Sequence, residues 1–277
     1  MSREERIMKR VQEHYDYLQS LGYEVVCVCL QGSQNYGLDE YSDEYMSDID
    51  TKAIVLPLLD DFIAASPPVS KVVIMDNNEH AEVKDIRVMF EMFKKANISY
   101  IELLFTDFKI INPEWDEFIE PLFANRELIS KYNRNQFLRC IAGMAYEKRK
   151  ALCHPYPTIK DKIDKYGYDG KQLHHIARLY EFLTRFNNRE SIENCFKSNN
   201  REELMMYKKQ MNADGSVLSA EDAVKIADEL VSRITALKDY MIDHYHIKVK
   251  STAIEILDEI KYNIIKEMLR RELNEKS

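Results

Sequence analysis

The sequence predicts an α+β fold, in which a small mixed β-sheet is followed by a mainly α-helical segment. Short apolar runs bounded by turn residues are typical of strands. Such runs occur before Asn112-Pro113 and become rare after it. Beyond that point, apolar residues recur at the spacing of helices. The length of 277 residues and the hydrophobic content of 45% allow two domains with proper cores. We therefore place a first domain at residues 1–125 and a helical domain at residues 126–277.

Hydrophobic spacing defines the elements of the first domain. A helix is predicted over residues 4–20, where apolar side chains recur every three or four positions and Gly22 follows as a stop. The apolar run from Val25 to Leu30 predicts a buried strand, and a second strand begins near Asp48 and continues to residue 56. The remaining predictions are a helical turn at 59–65, a hairpin of 69–76 with 80–84 around Asn77-Asn78, and a helix over 86–96.

The second half shows helical periodicity along most of its length. The segments concerned are 115–123, 133–152, 171–186, 219–245 and 252–273. Ser219 opens the fourth of these as an N-cap candidate, and the acidic residues Glu221 and Asp222 follow in the first turn. The sequence contains no evident repeat or low-complexity linker, so we expect this half to be mainly helical.

Charge and cysteine usage limit the classes of function. A net charge of −8 argues against a sequence-independent nucleic-acid binder, which normally presents a basic face, although a local basic groove is compatible with it. The five cysteines are scattered and no secretory signal is visible, so we expect reduced thiols and a cytoplasmic protein. No apolar run approaches the length needed to cross a bilayer, so no membrane contact is expected.

Two successive stretches supply the residue types that phosphate and metal chemistry need. The first strand ends at Gly32-Ser33, where glycine can bring its backbone N–H close to an anion and serine adds a hydroxyl donor. Asp48 and Asp50 follow, and alternate residues of a strand point to the same face, roughly 6.5–7 Å apart along the chain. That spacing lets both carboxylates reach one pair of Mg²⁺ ions about 3.5–4 Å apart. Either motif alone is weak evidence, since an Asp-x-Asp pair is often only a solvated face.

The order of these motifs resembles that of a known family. Gly32-Ser33 followed by Asp48-x-Asp50 resembles the active-site signature of the DNA polymerase β-like nucleotidyltransferase superfamily. The fuller string GSQNYGL, followed by SDID, is similar to its bacterial and phage branch, which is associated with RNA repair. The resemblance implies a small mixed-sheet catalytic domain, and a helical domain that closes the nucleotide cleft.

The family pattern also implies a third acidic residue on a later strand, flanked by apolar residues. Glu82, between Ala81 and Val83, fits this pattern, although the family more often has Asp there. Asp85 is the competing residue. We interpret it as the N-cap of the following helix, where a short acceptor satisfies free N–H groups. The loop before Asp48 departs from the family because it is longer and more acidic.

A basic cluster is predicted on one helix of the second half. Lys171, His174, His175 and Arg178 fall at positions i, i+3, i+4 and i+7, which share one helix face. That face is cationic, whereas a helix face of this kind is normally apolar and turned towards the core. Periodicity alone also allows two structural interpretations: a basic face exposed to solvent, or histidines packed in the core. The stretch resembles the family segment Gly-x-x-x-Lys-x-Leu-x-His-x-x-Arg-Leu, which extends the resemblance into the helical half.

The resemblance implies transfer of a nucleoside monophosphate from an NTP to an acceptor hydroxyl, with release of pyrophosphate. Asp48, Asp50 and Glu82 would bind Mg²⁺, with Mn²⁺ as an alternative. Gly32 and Ser33 would hold the β- and γ-phosphates, and Lys171 or Arg178 would neutralise them. The residues implied for nucleotide binding are Gly32, Ser33, Asn35, Tyr36, Lys171, His174, His175 and Arg178, of which Asn35 and Tyr36 could instead structure the turn.

The sequence leaves open which class of molecule accepts the nucleoside monophosphate. An RNA or tRNA 3′ end is the first interpretation, because of the link to RNA repair. A small molecule of the antibiotic type, or a protein, is the alternative; the acidic charge and the loop 39–44 favour cationic aminoglycosides. A catalytically silent nucleotide-binding or partner-binding module is a third class, which the three intact carboxylates argue against. Neither the preferred NTP nor the oligomeric state is predicted.

Overall fold

A mixed sheet of five strands lies at the centre of the N-terminal half. The computed structural model describes residues 1–41, 46–245 and 251–275. The strands are β1 (Glu24–Leu30), β2 (Thr51–Leu56), β3 (Ser70–Ile74), β4 (His80–Asp85) and β5 (Lys109–Ile111). Their order is β3-β4-β2-β1-β5, in which β2 and β4 run parallel and the other neighbours antiparallel. The predicted α+β fold class, with a small mixed sheet ahead of a mainly helical segment, is confirmed.

Helices cover both faces of this sheet. α1 (Arg3–Ser20) begins at a capping box, in which the Ser2 hydroxyl accepts from the Glu5 amide and the Glu5 carboxylate accepts from the Ser2 amide. Its apolar side packs on one face of β1, β2 and β4. α5 (Ile98–Ile101) lies against the other face, where Tyr100 contacts Lys52 and Glu82. The other elements of this half are α2 (Ser33–Tyr36), α3 (Leu59–Ile63), α4 (Ile86–Lys94), the 3₁₀ turn Glu102–Phe105, α6 (Asp116–Ala124) and α7 (Arg126–Lys131).

The second half is built mainly of helices, as predicted. They are α8 (Arg134–Ala151), the 3₁₀ turn Pro157–Ile159, α9 (Lys160–Tyr166), α10 (Gly170–Asn187), α11 (Ile192–Phe196), α12 (Arg201–Lys208), α13 (Ala220–His244) and α14 (Ser251–Glu275). α10 packs against α8, α12 and α13. The Asp169 amide donates to the Leu152 carbonyl at 2.8 Å, so the start of α10 lies beside the end of α8. None of the helices in the described residues combines the length and apolar character needed to cross a membrane.

The chain divides into two compact units. The first unit comprises Met1–Asn35, Asp39–Asn133 and Val249–Ser277, and the second unit comprises Tyr36–Leu38 and Arg134–Lys248. α14 therefore belongs to the first unit, whereas the sequence-based boundary at 125/126 assigned it to the second domain. Its place follows from ion pairs such as Lys94 Nζ to Asp258 Oδ1 at 2.6 Å, which join residues far apart in sequence. That the helical part closes a nucleotide cleft stays a prediction.

Candidate active site

The turn after β1 lies beside the segment that precedes β2. β1 and β2 pair as far as Leu30 opposite Thr51, and the Gln31 amide donates to the Asp50 carbonyl at 3.0 Å. Gly32 follows with φ of +85°, a left-handed conformation that favours glycine. Apart from its two chain neighbours, no residue has an atom within 4 Å of where a Cβ of residue 32 would be, so the space on this side of the turn is open. The structure thus brings the Gly32-Ser33 turn and the Asp48-x-Asp50 segment together at one end of two paired strands.

Asp48 and Asp50 lie in the segment just before β2. Their exposure alternates with that of their neighbours: Asp48 is exposed, Ile49 is buried in the core and Asp50 is half-buried. This alternation places the two carboxylates on the side away from the core, although β2 begins at Thr51 and not near Asp48 as the sequence predicted. One oxygen of Asp50, Oδ1, accepts a hydrogen bond from the His80 amide at 2.9 Å, and this contact orients the carboxylate.

Glu79 fixes the backbone between the two aspartates, and sequence analysis missed it. Its Oε1 accepts from the Ile49 amide at 3.1 Å, while its Oε2 accepts from Arg10 Nε at 2.9 Å and lies 3.1 Å from His14 Nε2. Burial raises the pKa of Glu79, but hydrogen bonds from His14, Asn77, Arg10 and Ile49 outweigh it and lower the pKa to about 2. A glutamate beside a hairpin turn normally looks like a surface residue, so only the tertiary contact with α1 indicates its role.

Glu82 is placed differently from the two aspartates. It lies opposite Lys52 in the parallel pair of β2 and β4, and its oxygens are 3.5 Å from Lys52 Nζ and 3.0 Å from Lys84 Nζ. The Tyr100 hydroxyl also donates to Oε1 at 2.7 Å. Burial raises the pKa of Glu82, but the Tyr100 hydrogen bond and the two lysines lower it overall. Within the described ranges, no group of three His, Cys, Asp or Glu side chains is placed to hold a metal ion.

Asp85 is the N-cap of α4, which confirms the interpretation made from the sequence. Its Oδ1 accepts from the Arg87 amide at 2.8 Å, and its carboxylate also binds the Arg87 guanidinium. Asp85 is 1% exposed. A buried carboxylate that already accepts this many hydrogen bonds is committed to the helix start, so Asp85 is not available as a third metal ligand.

We expect Glu82→Gln to destabilise the protein. The substitution leaves the ammonium group of Lys52, a residue 4% exposed, without its carboxylate partner, at a cost of about 1–3 kcal/mol in the free energy of unfolding. Urea denaturation measures this loss. Glu91→Gln, which removes an exposed ion pair with Lys94, is the matched control and should change stability by less than about 1 kcal/mol. A Glu82→Gln variant that is as stable as the wild type but inactive would contradict this prediction and support Glu82 as the third metal-binding carboxylate.

Asn35 and Tyr36 serve as structural residues in this conformation. Asn35 Nδ2 donates to the Leu30 carbonyl at 2.8 Å, and its Oδ1 accepts from the Thr106 hydroxyl at 2.7 Å, so the amide secures the turn after β1. Tyr36 is 6% exposed and belongs to the second unit, where the Arg178 guanidinium lies 3.9 Å from its ring centroid. These contacts favour the turn-structuring alternative over contact with a sugar or base.

The basic residues of α10 all lie in the second unit, but they do not share one environment. Lys171 is exposed, whereas Arg178 is 8% exposed beneath the ring of Tyr36. The ring of His174 is turned towards α12, where its Nδ1 donates to the Leu204 carbonyl at 2.8 Å. His174 is therefore a satisfied core histidine, and the cations of this helix face reduce to Lys171 and Arg178, at i and i+7.

Comparisons with known proteins give a likeness in structure but none in sequence. No protein-family model and no curated protein sequence matches the chain. The chain is similar to the crystal structure of a nucleotidyltransferase-like protein from Exiguobacterium sibiricum 255-15. The TM-score is 0.33 and the identity 9%, over 85% of this chain and 75% of that one. A likeness at this level fixes neither the family nor the activity.

The histidines of α10 are expected to add no pH dependence of their own to any binding of ATP between pH 6 and 8. Burial lowers the pKa of His174 to about 4, and burial with neighbouring cations lowers that of His175 well below its usual value. Both imidazoles are therefore neutral in the folded protein across this range. Titration calorimetry with ATP at several pH values measures the affinity. A fall in affinity as pH rises, abolished in His175→Gln, would show a cationic histidine instead.

Proposed function

We propose that the first unit is a nucleotidyltransferase module that binds a nucleoside triphosphate at the Gly32-Ser33 turn. The observation that supports this most directly is the 3.0 Å hydrogen bond from the Gln31 amide to the Asp50 carbonyl. It places a turn suited to phosphate oxygens next to two solvent-accessible carboxylates. The reaction class that we propose, transfer of a nucleoside monophosphate, comes from the resemblance of both motifs to the superfamily signature.

In the proposed reaction, the protein supplies position and charge rather than a covalent intermediate. The acceptor hydroxyl oxygen forms a bond to the α-phosphorus, the bond from that phosphorus to the bridging oxygen breaks, and pyrophosphate leaves with the electron pair. The hydroxyl proton passes to water. The backbone at Gly32 and the Ser33 hydroxyl would donate to the phosphates of the leaving group, while Glu79, through Ile49, holds the two aspartates in place.

A divalent cation fits two of the three carboxylates predicted to bind it. Asp48 and Asp50 offer accessible oxygen ligands of the kind that Mg²⁺ and Mn²⁺ prefer, so these two residues would hold the ion. Glu82 does not fit, because Lys52, Lys84 and Tyr100 already bind its oxygens. When bound, the ion would neutralise charge on the phosphates.

An RNA 3′ end is the acceptor that we propose first, on the strength of the sequence resemblance. A small cationic molecule is the alternative that the net charge of −8 favours. The two are distinguishable by supplying bulk tRNA or an aminoglycoside to the same labelled NTP. Label on the RNA supports the first, and label on the small molecule supports the second.

A nucleotide-binding module without transfer activity is the second candidate function. It is favoured by the ion pairs of Glu82 with Lys52 and Lys84, which leave two accessible carboxylates where the family pattern has three. Such a module would bind the NTP at the same turn and release no pyrophosphate.

The decisive experiment incubates the full chain with each α-labelled NTP and Mg²⁺, with and without tRNA. Release of pyrophosphate together with labelled product is the expected result. NTP binding by calorimetry without pyrophosphate release, with all acceptors tried, would support the silent module. Absence of NTP binding would overturn both proposals.

A further inference from the structure

The second unit contains a groove, here named the α10 groove, that is lined jointly by α10, α12 and α13. Its volume is about 490 Å³, and small-molecule sites in proteins measure roughly 300–1,000 Å³. The apolar and aromatic residues that line it are Ala177, Tyr180, Leu204, Tyr207, Ile226 and Leu230. Ala177 places only a methyl group there, which leaves the groove open. The α10 groove therefore has the size and the apolar lining of a ligand site.

The groove lies on a different face of α10 from the basic residues discussed above. Ala177, Glu181 and Thr184 line it and follow one another at the four- and three-residue spacing of a single helix face. Lys171 and Arg178 share another face and do not line the groove. A ligand in the α10 groove would therefore be separate from a nucleotide held by the basic residues of this helix.

Most of the charged side chains that line the groove already have a partner of opposite charge. Arg233 forms an ion pair with Glu229, one helical turn away on α13. Arg185 donates from Nε to Glu190 at 2.9 Å and lies 3.7 Å from the carboxylate of Glu181. An anionic ligand would therefore find both arginines of the groove occupied by carboxylates.

Glu203, on α12, is the exception among these charges. Its Oε1 accepts from the Tyr207 hydroxyl at 2.9 Å. Within the residues that the structure describes, Oε2 accepts no hydrogen bond and no cationic side chain lies within 4.0 Å of the carboxylate. Burial and the bond to Glu203 raise the pKa of Tyr207 to about 12, so the hydroxyl keeps its proton near neutral pH. The α10 groove thus presents one negative charge without a counter-charge, next to an aromatic ring.

We propose that the α10 groove binds a small organic cation, in which a protonated amine is carried on an aromatic body. The ammonium group would donate to Glu203 Oε2, and the body would pack against Leu204, Tyr207 and Leu230. A hydrogen bond between two ionised groups is stronger than one between neutral groups, and tyrosine faces attract cations. This site goes beyond the proposed nucleotidyl transfer and does not rest on it.

Three indole derivatives of similar shape test the charge of the ligand. Tryptamine carries an ammonium group, tryptophol a neutral hydroxyl and indole-3-propionate a carboxylate. NMR titration of the full chain in EDTA, without nucleotide, measures their affinities. We expect tryptamine to bind most tightly and indole-3-propionate most weakly. Equal affinities, a preference for the carboxylate, or absence of tryptamine binding at millimolar concentration would overturn the inference, whatever the transfer assay shows.

Glu203→Gln tests whether this carboxylate binds the amine. The variant should bind tryptamine about twofold to fivefold more weakly, the usual range for an exposed ion pair, and should bind tryptophol as the wild type does. Since Glu203 is exposed, the variant should also fold normally. Glu202→Gln is the matched control, because this neighbouring exposed glutamate does not line the groove. Unchanged tryptamine binding in Glu203→Gln, or an equal loss in Glu202→Gln, would overturn the inference.

Ala177→Leu tests the location of the probe independently of charge. The longer side chain would occupy the α10 groove, so this variant should lose the binding of both tryptamine and tryptophol. Because the added atoms enter open space, its melting temperature should equal or exceed that of the wild type. A folded Ala177→Leu variant that binds tryptamine as the wild type does would place the probe elsewhere and overturn the inference.

Discussion

Asp48→Asn and Asp50→Asn are each expected to abolish nucleotidyl transfer while leaving the fold intact. Each removes an anionic oxygen from the pair proposed to bind the cation, and such ion contacts supply several kcal/mol to the transition state. Because about 1.4 kcal/mol is a tenfold change in rate, the loss should be about a hundredfold or more. Pyrophosphate release measures it. The Asn side chain of the second variant can still accept from the His80 amide, so folding should be retained.

Asp16→Asn is the matched control for these variants, because this exposed aspartate of α1 accepts a hydrogen bond from the neighbouring Gln12 side chain and lies outside the site. Its activity should equal that of the wild type. Retention of more than about a tenth of activity in both site variants would remove the metal-dependent mechanism, since ion contacts of this kind contribute more than a factor of ten.

The turn and the aspartates were predictable because their signals are local. An apolar run that ends before Gly32 and a second run that begins near Asp48 predict two strands without any knowledge of tertiary structure, although the second strand starts only at Thr51. Antiparallel pairing of the two strands then brings the turn and the aspartates together. The N-cap role of Asp85 was predictable for the same reason, since a cap depends on residues within one turn of helix.

The environment of Glu82 could not be predicted in this way. Lys52 and Lys84 look like ordinary alternate residues of two strands, and only the parallel register of β2 and β4 sets Lys52 beside Glu82. The position of α14 is a similar case, because its periodicity predicts a helix but not which unit it packs on. Pairings between distant residues, unlike turns and caps, leave no periodic trace in a single sequence.

Glu79→Gln is expected to lower both stability and activity. A pKa lowered from 4.5 to about 2 corresponds to about 3 kcal/mol of stability near neutral pH, which the neutral amide cannot supply. The unfolded carboxylate takes up a proton as pH falls below 4.5, whereas the folded one stays ionised until about 2. The contribution is therefore complete above 4.5 and is lost as pH falls from 4.5 towards 2. Urea denaturation at pH 7 and pH 3 should show the gap between wild type and variant narrowing at the lower pH.

The same substitution tests the link from Glu79 to the aspartates. The Ile49 amide would lose its charged acceptor, so the segment carrying Asp48 and Asp50 should be less well held and transfer should fall even where the variant is fully folded. Glu13→Gln is the control, since Glu13 also binds Arg10 but is more exposed and does not reach Ile49. It should lose less than about 1 kcal/mol and keep its activity. Equal losses of stability in both variants, or full activity in folded Glu79→Gln, would contradict a positioning role for Glu79.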